Sequence, residues 1–505
     1  MPSMRRLLAL GMAAVAGLLL AGAYEPFNLW FLAPVAISIL VIIQWKARNR
    51  EGFLTGFVFG FVTFYVQHMW LSVVGTDAQL ILSIYLALWI AFVGLGTAFV
   101  SRNLPSWLAI VAVTGLWVLE EALRGRYPFG GYPWARIVFS QSDGPLAQWS
   151  TLLGVPAVTA VVVLLAASCA LALVHRTGAS IGLCLVVIGI ALVIPRFVTA
   201  DVTSNRNITI GVVQGGTPQT GLGAMDVRKA VLENHARVTV EMAAQVRAGE
   251  VAKPDLVLWP ENSSDLNPFE DVDAKTIISR ASQAVDAPIL VGAVVDSFTD
   301  PDNEVYNMGI LWDPKEGPGE TYIKNAPVPF GEFIPFRSLL TSIISRYERV
   351  PRDFAHGQEP GIFNVNGTTL GDLICFEVAV DKVVDTVIDG GAEILVVQTN
   401  NATYANTALP AQQLAIEKMR SIEMGRAVVV AATTGISAYI EPNGNFVELL
   451  NDGEVGAFVA EVPAFTERTS GSLLGPFFEI TLCLVAMTLI VLAWTRRRKV
   501  EQVRL

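Results

Sequence analysis

Charge is scarce in this chain. Only 16% of its 505 residues are Asp, Glu, Lys or Arg, while 52% are hydrophobic. Soluble domains carry about 25% charged residues, so a soluble monomer and a disordered chain are both excluded. Cysteine and histidine are scarcer still, at four each. Cys169, Cys184 and Cys483 lie in long apolar runs, where cysteine acts as a small core residue. That leaves Cys375 alone elsewhere and excludes an internal disulfide framework. There is no P-loop, GxSxG elbow, HExxH or CxxC. Asp300, Asp302 and Glu304 imitate the start of a calcium loop, but Val305 stands where glycine is required. No metal and no other cofactor is expected. His68 and His175 lie in or beside apolar runs, His235 in a predicted helix and His356 in a loop. A Cys375–His356 dyad is therefore the weaker reading, since loop histidines are usually solvated.

The charge that is present is unevenly placed. Residues 1–198 and 472–505 together hold 16 basic and 8 acidic residues, whereas 199–471 hold 19 and 37. A basic, apolar shell thus encloses an acidic insert, which leaves no basic domain for nucleic acid. The shell contains apolar runs at 7–23, 29–45, 53–74, 80–100, 107–123, 151–174, 181–197 and 473–494. A bilayer core about 30 Å thick needs roughly 20 such residues per helix, so about eight spans are predicted, seven before the insert and one after. Residues 7–23 also read as a cleaved signal peptide, which leaves the insert on the same side. Arg5 and Arg6, the Lys46–Arg50 cluster, Arg102, Arg176 and the Arg496–Lys499 tail all fall on one face if both termini are cytoplasmic. The insert then lies outside the cytoplasmic membrane. Arg124, Arg126, Arg136 and Arg196 fall on the wrong side. For the first two, an ion pair beside an aromatic belt and a contact with a phospholipid headgroup are both open readings.

Behind a polar linker at 199–207, the insert alternates strand-like and helix-like segments. Strands are predicted at 208–214, 255–259, 288–295, 305–312, 369–376, 394–398, 428–432 and 437–441, the last turning through Pro442-Asn443-Gly444-Asn445 into 446–450. Helices are predicted at about 228–247, 274–284, 382–388 and 410–424. This alternation predicts an α/β domain with covered sheet faces. Three apolar runs deliver polar residues at their ends: Trp259-Pro260-Glu261, Thr321-Tyr322-Ile323-Lys324 followed by the Pro327–Pro335 loop carrying Glu332, and Cys375-Phe376-Glu377. Ligands usually bind at such strand ends. A cysteine attacks as thiolate, a carboxylate can take its proton, and a lysine can stabilise both thiolate and oxyanion. Glu, Lys and Cys together suffice for acyl transfer without histidine.

In order and approximate spacing these three motifs resemble those of the nitrilase superfamily. With the surrounding spans, the whole chain resembles its membrane-embedded N-acyltransferase branch; Val328-Pro329-Phe330-Gly331-Glu332-Phe333-Ile334-Pro335 is the most specific stretch. The resemblance implies a four-layer αββα sandwich inserted into the bundle. It implies Glu261 as general base, Lys324 as oxyanion stabiliser and Cys375 as nucleophile. Glu332 would support the lysine, Glu377 would act as an acid beside the nucleophile, and Trp259 would shape the pocket. Phe376 stands where the family often has tyrosine, though its backbone N–H could still serve an oxyanion hole. Asn401-Ala402-Thr403-Tyr404-Ala405 replaces the usual Asp-Ala-Trp-Phe-Gly loop, and Gln412-Gln413 a Gln-His pair, so Tyr404 becomes a candidate substrate contact. The implied reaction moves an acyl chain from a membrane phospholipid to the diacylglyceryl-cysteine amine of an apolipoprotein. A tethered amidase acting on a soluble substrate, and a membrane scaffold for a partner glycosyltransferase, are the alternatives.

Overall fold

The computed structural model describes residues 2–197, 204, 206–224, 227 and 229–503. The expected boundary at 198/199, most of the 199–207 linker and Arg228 lie outside these residues. The chain forms two compact units, Met1–Ala200 with Arg468–Leu505, and Asp201–Glu467.

The first unit is helical. It comprises α1 (Pro2–Ala21), α2 (Leu32–Gln44), α3 (Asn49–Gln67), α4 (Thr76–Asn103), α5 (Ser106–Arg124), α6 (Trp149–Leu153), α7 (Val155–His175), α8 (Gly178–Val193) and the closing helix Ser470–Val503. Six helices among the described residues are long and apolar enough to cross a membrane. The expectation of eight is therefore not met in full. The helix Leu32–Gln44 is shorter, and α3 opens on Arg50 and Glu51 and ends at Gln67, short of the expected 74. The run at 151–174 is broken at Gly154, whose φ of 77° separates α6 from α7. Helices α3 and α4 meet through small residues: a Cβ on Gly52 would lie 2.4 Å from the Gly94 carbonyl oxygen. Such close backbone approach is how helices associate where no water drives them together.

The second unit is built from two sheets. Strands β1 (Arg206–Gln214), β2 (Leu256–Leu258), β3 (Ile289–Asp296), β4 (Glu304–Asp313), β5 (Gly317–Ile323) and β6 (Asp353–Phe354) belong to the first. Strands β7 (Ile362–Val365), β8 (Thr368–Ile374), β9 (Ile394–Thr399), β10 (Ala427–Ala432), β11 (Ser437–Ile440) and β12 (Phe446–Leu450) form the second, in the order β12-β11-β10-β9-β8-β7. The last strand, β13 (Gly456–Ala464), returns to the first sheet, whose order is β13-β1-β2-β3-β4-β5 with β6 against β4. Inner-face residues of both sheets, such as Ile210, Leu258, Leu290, Leu370, Val396 and Val429, share one buried core. Outside the first sheet lie α9 (Ala230–Ala248) and α10 (Val272–Val285), packed through Val238, Met242, Ile278 and Val285 on Val257, Trp259 and Ile310. Outside the second lie α12 (Asp381–Asp389) and α13 (Leu409–Met424), with the short α11 (Arg337–Thr341) between the sheets' segments in sequence. The four layers are thus αββα, as expected. Central strands such as β9, Ile-Leu-Val-Val-Gln-Thr, are buried along their whole length because helices and a second sheet cover both faces. Helix α10 is fixed at its start by Asp271, which accepts from the Asp273 and Ala274 amides.

Candidate active site

Glu261 leaves β2 in a turn whose next residue, Asn262, has a φ of 53°. The turn presses on β3 at Gly292, where a Cβ would lie 2.7 Å from the Glu261 Cα. The Glu261 carboxylate is buried and accepts three hydrogen bonds: from Asn307 Nδ2 at 2.7 Å, Lys324 Nζ at 3.0 Å and the Asn400 amide at 2.9 Å. Lys324 follows β5 and reaches a second carboxylate, Glu332 Oε1, at 2.9 Å. Glu332 is held in turn by the Val328 amide at 2.6 Å and by Asn307 Nδ2 at 3.0 Å. The ammonium is therefore clamped between two carboxylates that also share one amide. Burial works against its charge, but Glu261 and Glu332 more than offset that and hold Lys324 well above the ordinary lysine range.

Cys375 comes directly after β8 with a φ of 56°, a conformation that costs a non-glycine residue roughly 1–3 kcal/mol. Together with Asn262 and Phe330 (φ 65°), it makes three left-handed residues beside the three site segments. The chain then enters a single 3-10 turn, Cys375–Ala379. Burial, then the Glu261 charge, pushes the Cys375 thiol up; Lys324 and the Thr399 hydroxyl pull it back down. A thiol so placed stays protonated until an acceptor takes its proton.

Glu377 is a buried staple. It accepts from Tyr322 Oη at 2.9 Å, from the Asn325 and Ala326 amides at 2.6 and 3.0 Å, and from the Ile374 amide at 2.8 Å. Burial raises its carboxyl, against the pull of Lys324 and these amides. It thereby ties the segment after Lys324 to the residue before Cys375. Tyr404 lies close enough for the Cys375 charge to act on its hydroxyl, which burial and that charge push up to about 12.

Other expected site residues fall elsewhere. The Trp259 ring is fully buried on the helix side of the first sheet and donates to Thr239 Oγ1 at 2.9 Å, so it anchors β2 and does not line the pocket. Alternation along the strand turns it away from the inner face that Leu258 occupies. Phe376 is buried in the 3-10 turn. Within the helical unit, Arg124 is buried, bonded to Glu120 and to the Tyr132 carbonyl at 2.9 Å. That removes it as a headgroup contact. Arg126 makes a two-point contact with Glu479 at 2.7 and 2.8 Å and is half-exposed. His356 is exposed and bonds to the Asn325 carbonyl through Nδ1. Asn307, which bridges the two carboxylates, escaped the sequence reading; its signal is an amide inside the apolar strand Val305–Trp312. Among the described residues no three His, Cys, Asp or Glu side chains converge as metal ligands.

Residues 16–168 match the family described as the apolipoprotein N-acyltransferase N-terminal domain, and residues 209–469 match the carbon-nitrogen hydrolase family. A Mycolicibacterium smegmatis protein named apolipoprotein N-acyltransferase is 34% identical over 94% of this chain and 84% of its own length. A Shewanella oneidensis protein of the same name is 25% identical over 97% of this chain and 96% of its own. Among solved structures, an amidase from Nesterenkonia sp. covers 53% of this chain and 94% of its own, at 16% identity and a TM-score of 0.36.

Proposed function

The chain belongs to the apolipoprotein N-acyltransferase family and is a multi-pass membrane acyltransferase, and from that premise we propose that it acylates lipoproteins through a thioester on Cys375. Glu261 takes the Cys375 proton, and the thiolate attacks the carbonyl carbon of a phospholipid acyl ester. The tetrahedral oxyanion is stabilised by the Lys324 ammonium, where a positioned charge in a buried site contributes most. As the C–O bond breaks, the departing alkoxide takes the proton from Glu261 and leaves as lysophospholipid. In the second half, the α-amine of a diacylglyceryl-cysteine attacks the thioester. Glu261 takes the amine proton, the thiolate departs and an amide remains.

The observation that carries this reading is the Glu261–Lys324–Glu332 clamp beside a thiol that sits on a left-handed turn. Glu332 and Asn307 hold the lysine and the base in register, and Glu377 fixes the segments that bear Lys324 and Cys375. The distribution of basic residues supports both termini in the cytoplasm and the catalytic unit outside the cytoplasmic membrane. Both substrates are lipids, so a bilayer-embedded chain meets them where a soluble one would not, and a shielded thioester favours aminolysis over hydrolysis. The test is transfer of a labelled acyl chain from phospholipid to a diacylglyceryl-cysteine peptide by the full-length protein. The proposal requires transfer by the native chain and none by Cys375→Ala; release of free fatty acid in place of peptide acylation would make the chain a hydrolase.

A further inference from the structure

A line of buried polar side chains beside the Cys375 thiol has no part in the proton transfers above. Thr399 ends β9, while Gln413 and Glu417 lie one turn apart on α13, so their side chains stack. The Gln413 amide is held at both ends. Its Oε1 accepts from Asn401 Nδ2 at 3.0 Å; its Nε2 donates to Glu417 Oε1 at 3.1 Å and to Thr399 Oγ1 at 2.9 Å. Turning the amide over would set its nitrogen against the Asn401 amide nitrogen and break the bond that Asn401 now donates.

The consequence falls on Thr399. Its oxygen already accepts from Gln413, and its own proton goes to Gln413 Oε1 at 3.2 Å. The thiol also faces Gln413 Oε1, at 4.0 Å. While sulfur carries its proton, the S–H points to that oxygen. The Thr399 hydroxyl and the thiol thus meet at one acceptor oxygen, and the hydroxyl acts to lower the thiol.

We propose that Glu417 and Gln413 are positioning residues that direct the Thr399 hydroxyl onto the Cys375 thiolate, deepening the acyl-transfer reading and resting on its thiolate. The chain has a stated direction: Glu417 fixes the amide, the amide fixes the hydroxyl oxygen, and the hydroxyl proton meets the charged sulfur.

The test reads the thiolate directly. Full-length protein in detergent is alkylated with iodoacetamide across a pH series, and the Cys375 peptide is quantified by mass spectrometry. Thr399→Val should move the midpoint up by about one pH unit, a tenfold loss of thiolate at fixed pH. Thr399→Ser should restore it. Gln413→Leu and Glu417→Leu should shift it in the same direction, and Glu417→Gln, which keeps an acceptor oxygen, should shift it less. Unmoved midpoints in Thr399→Val and Glu417→Leu, with only a lower melting temperature, would overturn the proposal in favour of plain packing. Should Thr399→Val fail to fold, Gln413→Leu carries the same two outcomes. No lipid enters this assay. A chain whose Cys375 midpoint responds to these substitutions as stated, but which takes no acyl group from phospholipid in a separate incubation, would sink the acyl-transfer reading and leave this one standing.

Discussion

Replacing Lys324 with methionine isolates the contribution of the buried clamp. The ammonium and the Glu261 carboxylate are 1% and 5% exposed, and Glu332 is 16% exposed. Methionine fills the volume but leaves two carboxylates facing each other across Asn307 Nδ2. Removing one partner of a buried ion pair costs about 3–5 kcal/mol. For a unit of this size, that lowers the melting midpoint on the order of 10 °C at neutral pH. The pH dependence has a definite sign. In the variant, one carboxyl of the pair binds a proton more tightly folded than unfolded, so stability rises as pH falls towards the carboxylate range. A second change, Glu332→Gln, should recover most of the loss at pH 7. Acyl-enzyme formation should stay down by about 10²–10³-fold in both variants, because the oxyanion has lost its cation. Thermal unfolding of the full chain in detergent between pH 5 and 8, with and without Glu332→Gln, measures the first effect. A Lys324→Met chain as stable as the native one at pH 7, with no gain from Glu332→Gln, would refute the clamp.

Glu377→Ala should lower activity at least 100-fold and stability by about 3 kcal/mol, since it orphans buried donors on both sides of the site; melting and acyl transfer together check this. Arg124→Ala should destabilise by about 3–5 kcal/mol because it leaves Glu120 buried and unpaired, whereas Arg126→Ala, which takes a half-exposed guanidinium away from the buried Glu479, should cost less, about 1–3 kcal/mol. Phospholipid affinity unchanged by Arg126→Ala but reduced by a folded Arg124→Lys would contradict the structural role given to Arg124. Asp385, pushed up to about 7 by burial and by Glu423 and Asp381, binds its proton more tightly folded than unfolded. Stability should therefore rise as pH falls from 8 towards 5, and Asp385→Asn should raise stability at pH 8 by up to about 2 kcal/mol while flattening that slope. A pH–stability curve identical in the two proteins would remove Asp385 as its cause.

Much of this architecture is legible in the sequence for a simple reason. Glu261, Lys324 and Cys375 each stand where an apolar run ends, and in stacked sheets those ends converge. What was not legible depends on partners far away in the chain. Trp259 sits two residues before Glu261, but the strand's alternation sends its ring to the helix side. The left-handed turn at Cys375 has no composition signal, because neither glycine nor asparagine marks it. Strands β7 and β13 escaped notice: β7 is four residues long, and β13 is half-exposed and interrupted by Pro463, so neither shows a clean period. The polar residues around the thiol, Asn307, Thr399, Gln413 and Glu417, lie within apolar strands or on a helix face. Each looks incidental until the fold sets them side by side. For Arg124 the sequence left an ion pair and a headgroup contact open, and its buried bond to Glu120, one turn earlier, favours the ion pair.

The most direct test of the central claim is the mass of the Cys375 peptide after the full-length protein has met phospholipid with no acceptor present. A hydroxylamine-labile acyl increment on that peptide, absent from Cys375→Ala and lost on adding a diacylglyceryl-cysteine peptide, is the predicted result. An unmodified Cys375 in a chain that still acylates the peptide would contradict it, because transfer would then bypass the thiol altogether.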